Sequence, residues 1–386
     1  MPSVTLGFID PRDSWHLVSH LFPDKVGGRP AWLALSHLPG DLECPHCHHR
    51  MVFLLQLYSP LDDREDCFHR MLFVFMCKNG SCFLPQNGVK TRPFRVFRSQ
   101  LPKENPYYSS KPPSESEEVT KESMMELFRS GKAPTVGLTE NLCPVCGCPG
   151  TKCCVNCNKA YYCSKEHQVI HWKQNHKIYC PDYDYLAEMF QSNSFLLPEF
   201  SLASETLDRD GEDTTEVYSS DDECNYEVVE DSEFSSADKE EFKALEEASC
   251  KETQEDRYFN RFKEILRKEP DQVVRFDRGG VPLWATPTPI IPPPCVRCGG
   301  KRIFEFQVCY HLLLFYFCCV LAFLLQITPQ LLSYLKLDKV GEASPDFATV
   351  YVFTCENSCP LAFSGGRDNT TTETYVEEFV TFDSVP

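Results

Sequence analysis

Thiols and imidazoles arrive in pairs between Cys143 and Cys180, reading CPVC, then CVNC, then YYCSKEH, then HKIYC. Residues of these types at these spacings suit one kind of chemistry, the holding of a soft or borderline metal ion. Zinc takes four sulfur or nitrogen donors in a tetrahedron, and a segment too short to bury a core can fold around such ions instead. Eight donors make two sites. Chain order assigns Cys143, Cys146, Cys163 and His167 to one and Cys154, Cys157, His176 and Cys180 to the other, interleaved. Cys148, Cys153 and His171 stand nearby as spare donors and read as packing or loop residues, although Cys153 beside Cys154 leaves the register of the second pair open. A disulfide knot is the competing reading and needs an oxidising compartment. The N-terminal MPSVTLGFIDPRDSW, with no basic stretch followed by an apolar one, gives no export signal to support it.

The interleaved order, an aromatic YYC with a ligand four positions on, and a closing H-x-x-x-C together resemble a MYND zinc finger over residues 141–182. This copy carries His167 where many such fingers have cysteine, an exchange that zinc accepts.

A second signal is internal repetition. Gly27, Gly28, Pro30 and Trp32 of GGRPAWL precede the CPHC of Cys44 and Cys47, and Gly279, Gly280, Pro282 and Trp284 of GGVPLW precede the CVRC of Cys295 and Cys298. Phe53 and Gln56 then match Phe304 and Gln307. Each copy continues to an apolar run, LFVFMC or VYVFTC, that closes on a further pair, Cys77 with Cys82 and Cys355 with Cys359. The segments MVFLLQLY, RMLFVFMC, RIFEFQV and ATVYVFTC are β-branched and aromatic at strand length. The expectation is a duplicated β module, each copy pinned by one zinc and each setting an indole against its sheet. Buried free thiols are the plainer alternative, and His46, His48 and His49 are substitute donors in the first copy.

The 386 residues suit two or three domains, and 42% hydrophobic content supports a core. A net charge of −18 argues against nucleic acid as a direct partner and for a basic protein. Twenty-two cysteines without an export signal point to a reducing compartment and to metal. The division expected is a first β module over 1–110, a linker over 111–140, the finger over 141–182, an acidic linker over 183–256 that contains FLLPEF at Phe195–Phe200 as a docking segment, and a second module over 257–386. The Asp- and Glu-rich stretch from Ser201 to Asp256 reads as disordered. After it, Phe259, Phe262, Ile265 and Leu266 fall at helical spacing with Pro270 as a stop, more a core or interface helix than a site. The fold class is therefore mostly β with small helical elements.

Taken in order, KVGGRPAWL, LQLYSPL, FRSQLP, the finger with YYCSKEHQ, FLLPEF and PQLLSYLK resemble the programmed cell death 2 family along nearly the whole chain. That resemblance implies no enzyme but a dedicated chaperone of a small-subunit ribosomal protein, acting in cytoplasm and nucleus during assembly of the small ribosomal subunit. One stretch departs from the pattern: CYHLLLFYFCCVLAFLLQIT, Cys309 to Thr328, stands between the FQV strand and PQLL. Its letters are those of pyrimidine-rich codons ending at Gln326, so it reads first as a retained intron, then as a true insertion, and last as a membrane helix. No membrane association is expected.

Enzymatic readings find no glycine-rich cofactor loop and no nucleophile with a partnered base. The competing function is a corepressor adaptor whose finger grips proline-rich peptides through Tyr162 and Trp172. For the chaperone reading, the client-binding faces are expected near Trp32 and Trp284.

Overall fold

A computed structural model describes residues 3–85, 90–111, 119–135, 140–208, 254–309, 330–337, 344–362 and 372–384. The strands in chain order are β1 (Ser3–Asp10), β2 (Lys25–Val26), β3 (Val52–Tyr58), β4 (His69–Met76), β5 (Phe94–Leu101), β6 (Lys152–Cys153), β7 (Tyr161–Tyr162), β8 (Phe200–Asp208), β9 (Gln272–Phe276), β10 (Arg302–Cys309), β11 (Thr349–Cys355) and β12 (Tyr375–Asp383). Ten of them close into one barrel in the order β1-β8-β2-β3-β4-β5-β12-β11-β10-β9, while β6 and β7 make a small ribbon in the finger.

The duplication is written into this order. β2 to β5 of the first half face β9 to β12 of the second across two seams, β5 against β12 on one side and the β8–β1 pair on the other. What the sequence presents as two modules is thus a single barrel that both halves share. Closure removes the exposed edges that each four-stranded half would carry alone. Both halves bulge at one place, between Phe53 and Leu55 in β3 and between Phe304 and Phe306 in β10. Gln56 and Gln307 also do the same work. Gln56 accepts from the Ala31 amide at 2.9 Å and Gln307 from the Leu283 amide at 2.8 Å, so each buried side chain straps the Gly-Gly-x-Pro-x-Trp segment to its sheet. The indoles stack as expected, Trp32 on Phe73 and Phe75, Trp284 on Tyr351 and Phe353.

Parts of both expected linkers are ordered elements. The stretch beginning at Ser201 opens as β8, which pairs with β1 from Ser3↔Asp208 to Asp10↔Ser201. Its charged residues sit there because the strand is mostly exposed, and its backbone is needed to close the barrel. Within 111–140, a helix over Lys121–Arg129 starts from a capping box of Thr120 and Ser123 and buries Met124 and Phe128 against Val18 and Leu186. The expected helix after the acidic stretch runs Gln254–Lys268 and sets Phe262 and Leu266 against Ala285, Cys309 and Ala348. Residues 209–253 lie outside the described residues.

No helix among the described residues is long and apolar enough to cross a membrane. Cys309 is the last residue of β10 and pairs with Thr349, while the rest of the Cys309–Thr328 segment lies outside the described residues. Beyond it, Leu331, Leu332 and Leu335 of PQLLSYLK pack into the main core.

Candidate metal centres and the finger interface

Four donor groups come together as the pairing in the sequence suggested: Cys44, Cys47, Cys77 and Cys82; Cys143, Cys146, Cys163 and His167; Cys154, Cys157, His176 and Cys180; Cys295, Cys298, Cys355 and Cys359. Within each group the ligand atoms lie within 4.8 Å of one another. The sulfurs lie 3.5 Å apart for Cys47–Cys77, 3.6 Å for Cys146–Cys163, 3.9 Å for Cys154–Cys180 and 3.6 Å for Cys298–Cys355. A tetrahedron of zinc–sulfur bonds of ~2.3 Å has edges of ~3.8 Å, whereas a disulfide needs ~2.05 Å. The spacing fits four thiolate or imidazole donors around an ion and does not fit disulfides.

The local backbone explains how such short loops do this. In all four C-x-x-C turns the residue after the second cysteine is left-handed: His48 (φ 59°), Gly147 (φ 71°), Asn158 (φ 55°) and Gly299 (φ 69°). Each donates its amide to the carbonyl of the first cysteine, at 2.9, 2.8, 2.9 and 2.8 Å in that order. This reversal turns both thiols to one side and tilts following amides toward sulfur, as Gly300 does to Cys298 at 3.4 Å. Glycine and asparagine tolerate the conformation best, so CPVCG, CVNCN and CVRCG carry a legible signature.

The second donors come from elsewhere in the fold. β4 and β11 end directly on Cys77 and Cys355, which is how distant knuckles are closed by strands. In the finger, Ser164 caps the Lys165–His171 helix by accepting from the His167 amide, which sets His167 Nδ1 3.1 Å from Cys163 and 3.6 Å from Cys143. His176 presents Nε2 to Cys157 at 3.6 Å. Burial, and then the neighbouring His171, lowers the His176 pKa and keeps it the neutral imidazole that a metal requires.

The spare donors have other work. His171 accepts or donates between Tyr162 Oη at 2.8 Å and Glu188 at 2.5 Å, Cys148 Sγ reaches the Cys146 carbonyl, and Cys153 lies in β6. His46 accepts from the Arg92 amide, and it joins no donor group, nor do His48 and His49.

Two expected partner contacts are corrected. Trp32 is 1% exposed and Tyr162 fully buried, so neither offers a face to another molecule. Trp32 instead donates Nε1 to the Gly147 carbonyl at 2.8 Å, tying the first half to a finger knuckle. Tyr162 is a core residue of the finger, held by His171. Trp284 is half-buried and Trp172 is 39% exposed.

Sequence reasoning missed the residues that bolt the finger down. Arg29 spends its guanidinium on carbonyls of the finger and of the chain leaving it: Pro144 at 3.0 Å, Met189 at 2.9 Å and Gln191 at 2.8 Å. Arg50 reaches the Cys163 carbonyl at 2.9 Å. The available signal was the one place where GGRPAWL and GGVPLW differ in polarity, Arg29 against Val281. FLLPEF completes the joint. Phe195 stands edge-on to His167, and Gly27 must be glycine because the Pro198 carbonyl fills the space of a Cβ. Glu199 pairs with the buried Lys25.

The family model described as the N-terminal domain of programmed cell death protein 2 matches residues 3–115, and that described as its C-terminal putative domain matches 256–316 and 319–384. The second match is interrupted only at 317–318, so it runs through most of the Cys309–Thr328 segment rather than around it. A MYND finger model matches 143–180. Programmed cell death protein 2 of Bos taurus is 42% identical over 382 residues, covering 97% of this chain and 94% of that protein. The Mus musculus protein of that name is 39% identical over 383 residues, covering 98% and 95%, and a programmed cell death protein 2-like protein of Mus musculus is 26% identical over 364, covering 87% and 85%. No solved structure matches the chain. Near-full-length identity at this level, with both domain models and the finger in one order on a doubled barrel, places the chain in the programmed cell death protein 2 family.

Proposed function

We propose that this zinc-binding MYND protein is a non-enzymatic chaperone for a basic small-subunit ribosomal protein, acting in cytoplasm and nucleus. The observation that carries the reading is where the charge sits. Residues 201–256 hold 21 acidic against four basic side chains, a net −17 of the chain's −18. The rest of the chain is therefore nearly neutral, and the acid is concentrated in one stretch that begins within β8. Unassembled ribosomal proteins carry Lys and Arg meant for phosphate, and such groups bind stray nucleic acid or drive aggregation. A local acidic segment shortens the search for such a client and competes with RNA, with an effect that fades as salt rises. The four metal centres supply rigidity to the body that holds the client.

The test is co-expression of individual small-subunit ribosomal proteins with the full chain and with a chain lacking 209–253. Soluble client is the signal. One client rescued by the full chain, less by the deletion, supports the reading; equal solubility of every client with and without the protein refutes it. Exposed Val169, Trp172, Ile178 and Tyr179 on the finger favour a second reading, an adaptor for proline-rich corepressor peptides. Nuclear corepressors rather than ribosomal protein among the co-purifying proteins would select it.

A further inference from the structure

Among the sixteen donors of the four groups, Cys298 alone is exposed; Cys47 and Cys157 are half-buried and the others buried. The internal symmetry explains the difference. On the first half, the finger packs beside the metal centre, with Arg50 bonded to the Cys163 carbonyl and a pocket wall shared by Cys77, Glu166, Ile170 and Phe195. The second half has no finger of its own. Its knuckle is open on the outer side, where Val296 is 84% exposed beside Cys298 and the Asn357 amide, 3.7 Å from the Cys298 sulfur, leaves that thiol exposed.

We propose that Cys298 is an oxidation site, and that peroxides reach the Cys295–Cys298–Cys355–Cys359 centre before the other three. The proposal rests on that centre holding zinc. Hydrogen peroxide is attacked by the Cys298 thiolate, which becomes a sulfenic acid as hydroxide departs and is protonated to water. The Cys355 thiolate, 3.6 Å away, then attacks the Cys298 sulfur and expels the second hydroxide, also protonated to water. Two thiolates have given two electrons to one peroxide, a disulfide has formed, and the zinc has lost two of its four ligands and leaves.

The loss does not stay local. A disulfide of ~2.05 Å must draw the two sulfurs together and shift the turn that follows Cys355. That turn is where the first half grips the second: Arg64 donates to the Asn357 carbonyl, Gln100 to that of Ser358 at 3.3 Å and Arg98 to that of Cys359 at 3.4 Å. The Cys355 amide donates to Glu378 at 3.2 Å, and Glu378 is the partner of Arg98. Oxidation therefore loosens one end of the barrel seam while the finger and the first-half centre stay loaded.

The test uses the zinc-loaded full chain, titrated with hydrogen peroxide below one equivalent. Zinc release is followed with a chromogenic chelator, and remaining thiols are alkylated and mapped by mass spectrometry. The expected result is that the first zinc leaves together with a Cys298–Cys355 disulfide, with the finger cysteines still reduced. Cys298→His keeps four donors without the exposed thiol and is expected to lose this early release while keeping its zinc count. First modification at Cys47 or Cys157, or early release unchanged in Cys298→His, overturns the proposal. If that variant carries one zinc fewer, the peptide map of the unmutated chain decides alone. Free alkylation of all four cysteines in untreated, otherwise zinc-loaded protein overturns the proposal together with the zinc assignment beneath it.

Discussion

Arg70 of β4 and Glu305 of β10 meet as a two-pronged ion pair, at 2.7 and 3.0 Å, with both side chains fully buried. Their strands are separated by β5, β12 and β11 in the sheet, so the side chains meet through the barrel interior. Glu305 is the bulged residue of its half. Its counterpart in the first half is Leu54, and the counterpart of Arg70 is Ala348, so this pair exists once and breaks the symmetry of the repeat. Arg278 and Thr354 also converge on Glu305, and Ser59 ties the β3–β4 connection to the same carboxylate at 2.9 Å.

Removing one partner leaves buried charge uncompensated, so Glu305→Ala should cost ~3–5 kcal/mol, read by denaturant unfolding. Replacing Arg70 and Glu305 together by apolar residues should cost much less than the sum of the single changes. A sum that simply adds would mean the two do not act as a pair.

The same carboxylate sets an acid limit. Burial would raise its pKa, but the guanidiniums of Arg70 and Arg278 outweigh that and hold it at about 2. Its folded pKa lies below the ordinary 4.5, so the stabilisation is complete above that pH and is lost as pH falls toward about 2. Acid titration of stability should be steeper between these values in the unmutated chain than in Glu305→Gln.

Elemental analysis should return four zincs per chain, one for each donor group. Two would leave only the finger. Cys146→Ser should lose metal from the finger and keep it in the halves, because the barrel centres share no ligand with it.

Trp32 and Trp284 occupy equivalent places with unequal burial, so their substitutions should differ. Trp32→Ala removes a core indole and should cost ~3–5 kcal/mol, while Trp32→Phe keeps the stacking and loses the bond to Gly147, about 1 kcal/mol. Trp284→Ala removes a half-buried ring and should cost clearly less than Trp32→Ala in the same denaturation assay.

Donor identity was legible because C-x-x-C spacing is local and its repetition was visible along the chain. The strand run at 51–58 was legible from its nearly continuous apolar letters, and 302–308 was legible because Phe304 and Gln307 repeat Phe53 and Gln56 at the same distance from a C-x-x-C. β8 was not, because an exposed closing strand such as Ser201–Asp208 carries the acidic letters of a spacer and is held by its backbone pairing with β1. Closure of two halves into one barrel was equally hidden. It depends on Tyr375–Glu378 meeting Val96–Ser99, a long-range pairing with no local pattern. The burial of Trp32 was hidden because it depends on a docked finger, which Trp32 meets at Gly147 and Arg29 holds at Pro144, contacts with no local pattern.

Gly147 and Gly299 hold the same position in two knuckles and should respond differently to alanine. Both are left-handed, so a Cβ costs ~1–2 kcal/mol at either. At Gly299 nothing lies within 4 Å of the added carbon, and the backbone cost should be the whole effect. At Gly147 the new Cβ would stand 2.9 Å from Arg29 Cβ and 3.3 Å from its Cγ, pushing away the side chain that bonds Pro144, Met189 and Gln191. Gly147→Ala should therefore free the finger from the barrel, seen as protease cleavage between 183 and 199, while its two metal centres remain loaded. Gly299→Asn should be nearly silent, since Asn158 already holds this conformation in the second finger knuckle. Equal protease resistance in Gly147→Ala and Gly299→Ala would mean that Arg29 does not hold the finger in place.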